Sequence, residues 1–249
     1  MKQFFLFLYA DFQKTKRLPI RKAHLFIPIG IAGIFLAYYS FSGWDTVTKI
    51  SAYFQILGIG LPFLIGLFCA TVAEQEAEAG GFFGLLSLPD KTAAFGSKLL
   101  LLFLSGGFSL FLATLLFGGG YAFLYGSDGL PCTIYLFAPL LLWSSSMFLY
   151  LVHFLLAVRF SGGLSAGLGI MESLLSALML TGLGDRLWLF LPPSWGARLV
   201  SHLLLYKTAS RPQTSVFPAA LPVCCMITLA ALAEYFIFIR HFEGRKGKE

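Results

Sequence analysis

Asparagine is missing from this 249-residue chain and charge is scarce. Asp, Glu, Lys and Arg together make up 12% of the residues, against about 25% in a typical soluble domain. So few charges exclude a soluble enzyme, a disordered regulator and a DNA-binding domain. Without asparagine there is no N-glycosylation sequon, which agrees with a bacterial inner membrane. Cysteine is limited to Cys69, Cys132, Cys224 and Cys225, three of them in apolar runs. No C-x-x-C or Cys/His zinc spacing occurs, so neither a disulfide framework nor a metal site is expected. There is also no G-x-x-x-x-G-K-[ST], the loop that cradles ATP phosphates. What remains is apolar: 57% hydrophobic and 16% aromatic, with a mean hydropathy of +0.80. The expected fold is all-α, a polytopic membrane protein forming one domain over residues 1–249. The net charge of +6 reads as basic residues at cytoplasmic helix ends, with no nucleic-acid partner.

A bilayer core takes about 20 apolar residues as helix. Backbone groups away from water must be satisfied inside such a segment. Six transmembrane helices are expected, over residues 24–40, 50–73, 99–121, 134–158, 162–182 and 219–239. The fifth is the least apolar and is rich in Gly, Ser and Ala. Gly118, Gly119 and Gly120 are expected to loosen the outer end of the third. Residues 188–205 are apolar too, but Pro192 and Pro193 interrupt them. They read as short helices at the outer surface, inside an extracellular loop over 183–218. Residues 1–22 read as an interfacial helix on the inner leaflet. Their apolar run, 4–10, is short for a signal peptide, and the basic cluster over 14–22 is the wrong flank for cleavage. That cluster suits anionic headgroups.

Lys and Arg set the orientation. With the N-terminus inside, Lys2, Lys14, Lys16, Arg17, Arg21, Lys22, Lys91, Lys98, Arg159, Arg240, Arg245, Lys246 and Lys248 are cytoplasmic. Only Lys49, Arg186, Arg198, Lys207 and Arg211 are outside. Both termini are therefore expected in the cytoplasm.

The most informative stretch joins the second and third spans, residues 74–91. Glu74 and Glu78 share a helix face, and Glu76 points elsewhere. Three acids this close are favourable near a helix N-terminus. Gly80 and Gly81 permit a sharp turn. Phe82, Phe83, Leu85, Leu86 and Leu88 then form an apolar segment too short to span. An exposed apolar patch of this kind points to a partner.

This layout resembles that of ABC-2 type transporter permeases. The Glu-rich stretch running into Ala79-Gly80, then Leu85-Leu86 and Pro89, with Lys98 at the next span, resembles the lantibiotic-immunity ABC permeases. The resemblance implies that the Glu-containing loop contacts an ATPase subunit, which points to Glu74, Glu76 and Glu78, with Phe82, Phe83, Leu85 and Leu86 as the coupling segment. It further implies cytoplasmic ABC ATPase subunits that bind ATP and Mg, a second, nonidentical permease subunit, and an amphiphilic antimicrobial peptide expelled from the membrane. This chain would bind no cofactor of its own and catalyse nothing.

Ionisable groups inside spans are costly and mark function or pairing. Glu172 lies in the fifth span. It reads either as part of a substrate path or subunit interface, or as bonded to a serine such as those of Ser144-Ser145-Ser146. His153 reads as a hydrogen-bonded packing residue, and Glu234 as paired or neutral. Gly163-Leu164-Ser165-Ala166-Gly167 spells G-x-S-x-G, which in hydrolases needs a strand–turn–helix setting; here small residues for close helix packing are the better reading. Trp188 and Trp195, with Phe190, are candidates for meeting an amphipathic peptide, though Trp at interfaces is also an anchor. The alternatives are an exporter of another amphiphile, such as a drug or lipid-linked molecule, and an intramembrane enzyme built on Ser165, His153 and Glu172.

Overall fold

The computed structural model describes residues 2–16, 19–126, 130–208 and 216–245. Arg17, Arg211, Lys246 and Lys248, and residues 209–215 of the last long loop, lie outside the described residues, as does the Lys2 side chain. Among the described residues every regular element is helical. In order they are α1 (Lys2–Thr15), α2 (Pro19–Tyr39), α3 (Thr46–Glu78), α4 (Phe83–Leu86), α5 (Lys91–Tyr125), α6 (Thr133–Ser145), α7 (Met147–Arg159), α8 (Gly162–Leu178), α9 (Trp195–Thr208) and α10 (Phe217–His241). Three short 3-10 turns, Gly182–Gly184, Trp188–Phe190 and Pro192–Ser194, link α8 to α9.

Local chemistry sets the helix starts. Pro19 opens α2 at a position where a missing N–H costs nothing. Asp45, Asp90 and Ser161 cap α3, α5 and α8 by accepting from the backbone N–H of Thr48 (3.1 Å), Ala93 (2.9 Å) and Leu164 (3.2 Å). Between α6 and α7 the chain bends at Ser146. There Ser144, Ser145 and Ser146 each donate to a carbonyl three residues back, which competes with the regular ladder. The three serines are thus spent on their own helix and do not reach Glu172.

Five helical stretches are long and apolar enough to cross a membrane: α2, α3, α5, α6 with α7, and α10. The expected fifth span is the exception. Its helix, α8, has 17 residues, about 25 Å at 1.5 Å per residue, against a core of about 30 Å. The buried Arg198 closes its C-terminal end, with Nε donating to Met179 O and Nη2 to Thr181 O at 2.7 Å. Arg198 belongs to α9, one of the short helices expected over 188–205, and much of it is buried in the bundle. α9 is packed between α3 and α6. A Cβ on Gly58 of α3 would stand 2.7 Å from the Ala197 backbone, and Gly196 faces Leu142 and Ser145. α3 is the hub of the bundle, lying along α7, α8 and α9.

Other boundaries move too. The interfacial segment ends at Thr15, so Arg21 and Lys22 ride the first turn of α2. α5 runs as one helix through Gly118, Gly119 and Gly120. Gly118 admits Tyr135, and Gly120 admits Leu36. α3 continues as helix through all three of its glutamates.

Candidate functional site: the α3–α4 turn and its ion pairs

α1, the residues just after α10, the end of α3 and the start of α5 gather at one end of the bundle. Here α3 finishes on Glu74, Glu76 and Glu78, the helix end where acids are disfavoured by the dipole. The expected benefit of a helix N-terminus is therefore absent. Two of the three acids are paired instead. Arg245, beyond α10, donates from Nη1 to both Glu74 oxygens at 3.2 Å. Its remaining nitrogens donate to Val158 O (3.1 Å) and Ala157 O at the end of α7. Glu74 also accepts from Gly162 N at the start of α8. Glu76 and Asp11 of α1 hold Lys98 of α5 between them, at 2.6 and 2.9 Å. All three are largely buried, and Ser97 Oγ donates to Asp11 at 2.6 Å. Glu78 is exposed and makes no ion pair among the described residues.

The turn that follows is strongly left-handed. Gly80, Gly81 and Phe82 have φ of 122°, 62° and 70°. For phenylalanine that conformation costs about 1–2 kcal/mol. Packing offsets the cost. The Phe82 ring is buried against Phe95 and Phe242, with the Arg245 guanidinium 5.3 Å from its centroid. Leu85 is buried and Leu86 half-buried, but Phe83 is 73% exposed. The segment expected as one apolar patch is thus two-faced. Phe82 and Leu85 anchor it, and Phe83 and Glu78 are presented outward.

Deeper in the bundle a second polar group assembles. His153 bonds through Nε2 to Glu172 (2.7 Å) and through Nδ1 to Ser165 (3.1 Å), and Ser165 donates to Gly66 O at 3.0 Å. A Ser–His–acid set suggests nucleophilic catalysis. The surroundings do not support it: Ser165 and His153 are wholly buried, and the hydroxyl is already donated to a backbone carbonyl. The set is a helix-to-helix polar bridge joining α3, α7 and α8. Within the G-x-S-x-G run, Ser165 is the packing residue. Gly163 and Gly167 meet no neighbouring helix, whereas a Cβ on Gly169 would stand 2.7 Å from Pro62 O.

Trp188 and Trp195 are turned inward, not displayed to a ligand. They join Leu199, Ala220 and Cys224 in a small core, and Trp195 Nε1 donates to Leu189 O at 2.9 Å. Phe190, by contrast, is exposed, as is Glu234 on α10. No group of three or more His, Cys, Asp or Glu among the described residues is placed to hold a metal ion.

Arg245 and Asp11 were not singled out from the sequence. Arg245 is 171 positions from Glu74, beyond any local pattern. Asp11 had one available signal, an acid in an otherwise basic interfacial helix.

An apolar multi-helix bundle with five helical stretches long enough to cross a membrane is a membrane-embedded protein. A family model described as "ABC-2 family transporter protein" matches residues 7–183. The chain belongs to that family, and is the membrane component of an ABC transporter. Family membership implies that nucleotide binds a partner ATPase. No curated protein and no solved structure matches the chain.

Proposed function

We propose that this chain is the permease of an exporter that expels lantibiotic-like antimicrobial peptides from the membrane, conferring self-protection or resistance. It sits in the bacterial inner membrane with both termini cytoplasmic and pairs with a second, nonidentical permease. Cytoplasmic ATPase subunits dock on the α3–α4 turn. The observation that carries the docking reading is the two-faced turn. An exposed phenylalanine and an exposed glutamate stand on a segment fixed from behind by Phe82, Leu85 and Arg245. In this reading Glu74 and Glu76 act from inside, tying the turn to α7, α8, α1 and α5. Nucleotide-driven movement of Phe83 would then reach the spans through these ion pairs. Glu172 holds α8 to α7, so its part in a substrate path is indirect. The sixth crossing is made by α8 and α9 in series, with Arg198 at their junction.

The reading is tested by resistance. The chain and its ATPase, expressed together in a peptide-sensitive strain, should raise the inhibitory concentration of a lantibiotic-type peptide several-fold. The gain should vanish when the ATPase cannot hydrolyse ATP. An unchanged sensitivity to peptides, with raised tolerance of small hydrophobic drugs, would reassign the cargo to another amphiphile.

A further inference from the structure

Between α1, α2, α3 and α5 lies a cavity of about 760 Å³, in the range of sites that take a drug-sized molecule. Its walls are mostly apolar, formed by Phe5, Leu8, Phe12, Leu101, Leu104 and Phe108. Phe5, Phe12, Leu104 and Phe108 are all exposed, so the cavity opens sideways from the bundle, toward the acyl chains of a bilayer. Its polar groups are of two kinds. Asp11 and Glu76 share Lys98, within 2.9 Å of both, which leaves this trio one negative charge in excess. Lys14 and Arg21 stand exposed at the rim. Arg21 lies 4.9 Å from the Phe12 ring centroid. The Lys14 ammonium is 3.9 Å from Glu76 and 61% exposed. Lys14 balances the remaining acid, so Arg21 leaves the lining one positive charge in excess.

We infer that this cavity is a binding site for an anionic phospholipid of the adjoining leaflet. One acyl chain lies against Leu101, Leu104 and Phe108, and the phosphate sits between Lys14 and Arg21. The two requirements, an apolar chain and an anion, are met together by a phospholipid and by neither a free anion nor a neutral detergent. The lipid would fasten α1 to the bundle. Through Asp11 and Lys98 it would also steady Glu76 at the end of α3. The site concerns neither cargo nor ATPase and goes beyond the transport reading.

The test uses the purified full chain in a neutral detergent, with lipid adducts counted by native mass spectrometry. Dioleoyl phosphatidylglycerol should bind more tightly than dioleoyl phosphatidylcholine. Lys14→Gln with Arg21→Gln should weaken phosphatidylglycerol binding about thirty-fold, since a basic residue near a membrane surface contributes about a fivefold factor. The same pair should leave phosphatidylcholine binding unchanged. Lys16→Gln with Lys22→Gln removes the same charge from exposed positions that do not line the cavity, and should have little effect. Should the first double variant not fold, Arg21→Gln alone carries the test, with about a fivefold loss. Equal binding of the two lipids, or equal losses in both double variants, would overturn the site. Because no ATPase is present, either result leaves the transport reading where it stands.

Discussion

Lys98 is the residue on which most depends at the charged end. The residue is 5% exposed, and its ammonium is shared between Asp11 and Glu76. Removing it would leave two largely buried carboxylates with only the exposed Lys14, 3.9 Å from Glu76, as a counter-charge. Breaking a buried pair in this way costs about 3–5 kcal/mol, most of it the penalty of the charges left behind. Lys98→Ala should therefore lower the thermal unfolding midpoint in detergent sharply. Lys98→Met combined with Asp11→Leu and Glu76→Leu should recover most of the loss, because an apolar replacement for the whole set can be nearly neutral. Equal loss in the single and triple variants would mean that Lys98 acts by packing alone. Arg245 works differently. It is a clamp, reaching one carboxylate, two carbonyls and one ring from a single guanidinium, a spread that lysine's compact ammonium cannot reproduce.

At the scale of elements the close approach of α3 and α8 decides the geometry. Gly66 lies against the Ser165 carbonyl, where a Cβ would stand 2.7 Å from the oxygen. That oxygen is backbone and cannot swing away. Gly66→Ala should push the helices apart, strain the His153–Ser165 bond and destabilise the bundle by about 1–3 kcal/mol. Gly60→Ala, on the same helix with no neighbour within 4 Å of the added carbon, is the matched control. A thermal shift for the control as large as for Gly66→Ala would contradict the packing account. Element by element, the apolar runs were legible in the sequence because a membrane demands them. The α6–α7 stretch and α10 fall within two residues of their expected limits, while α2, α3 and α5 extend beyond theirs, α5 by eight residues at its start. α8 and α9 were legible as helices, but the shortness of α8 and the burial of α9 were not. Hydropathy measures how apolar a segment is but does not tell whether it faces lipid or protein. Pro192 and Pro193, interrupting an apolar run, pointed to short helices at the outer surface. The arginine of α9 is needed inside, on the carbonyls that end α8.

At the scale of the whole molecule, the family match covers residues 7–183, yet the parts beyond it are tied into the site. Arg245, after α10, locks Glu74, and Arg198 closes α8. The segments that surround the α3–α4 turn thus come from both ends of the chain. Pairings of such long sequence separation leave no local pattern, so the run of acids stands out in the sequence while its tie to Arg245 does not. Two of the three glutamates expected to meet an ATPase are engaged within the chain. The outward face is reduced to Glu78 and Phe83.

That face gives the most direct measurement. The tagged chain is recovered from its native membrane in mild detergent, and its partners are counted by mass spectrometry, for the wild type and for Phe83→Asp with Glu78→Lys. Both substituted side chains are exposed, so the unfolding midpoint should stay where it was. The expected result is an ABC ATPase at about one copy per permease chain, lost in the double variant. A chain recovered without any ATPase, or a double variant that keeps it in full, would contradict the assignment of the α3–α4 turn as the place where ATP hydrolysis is coupled to the membrane.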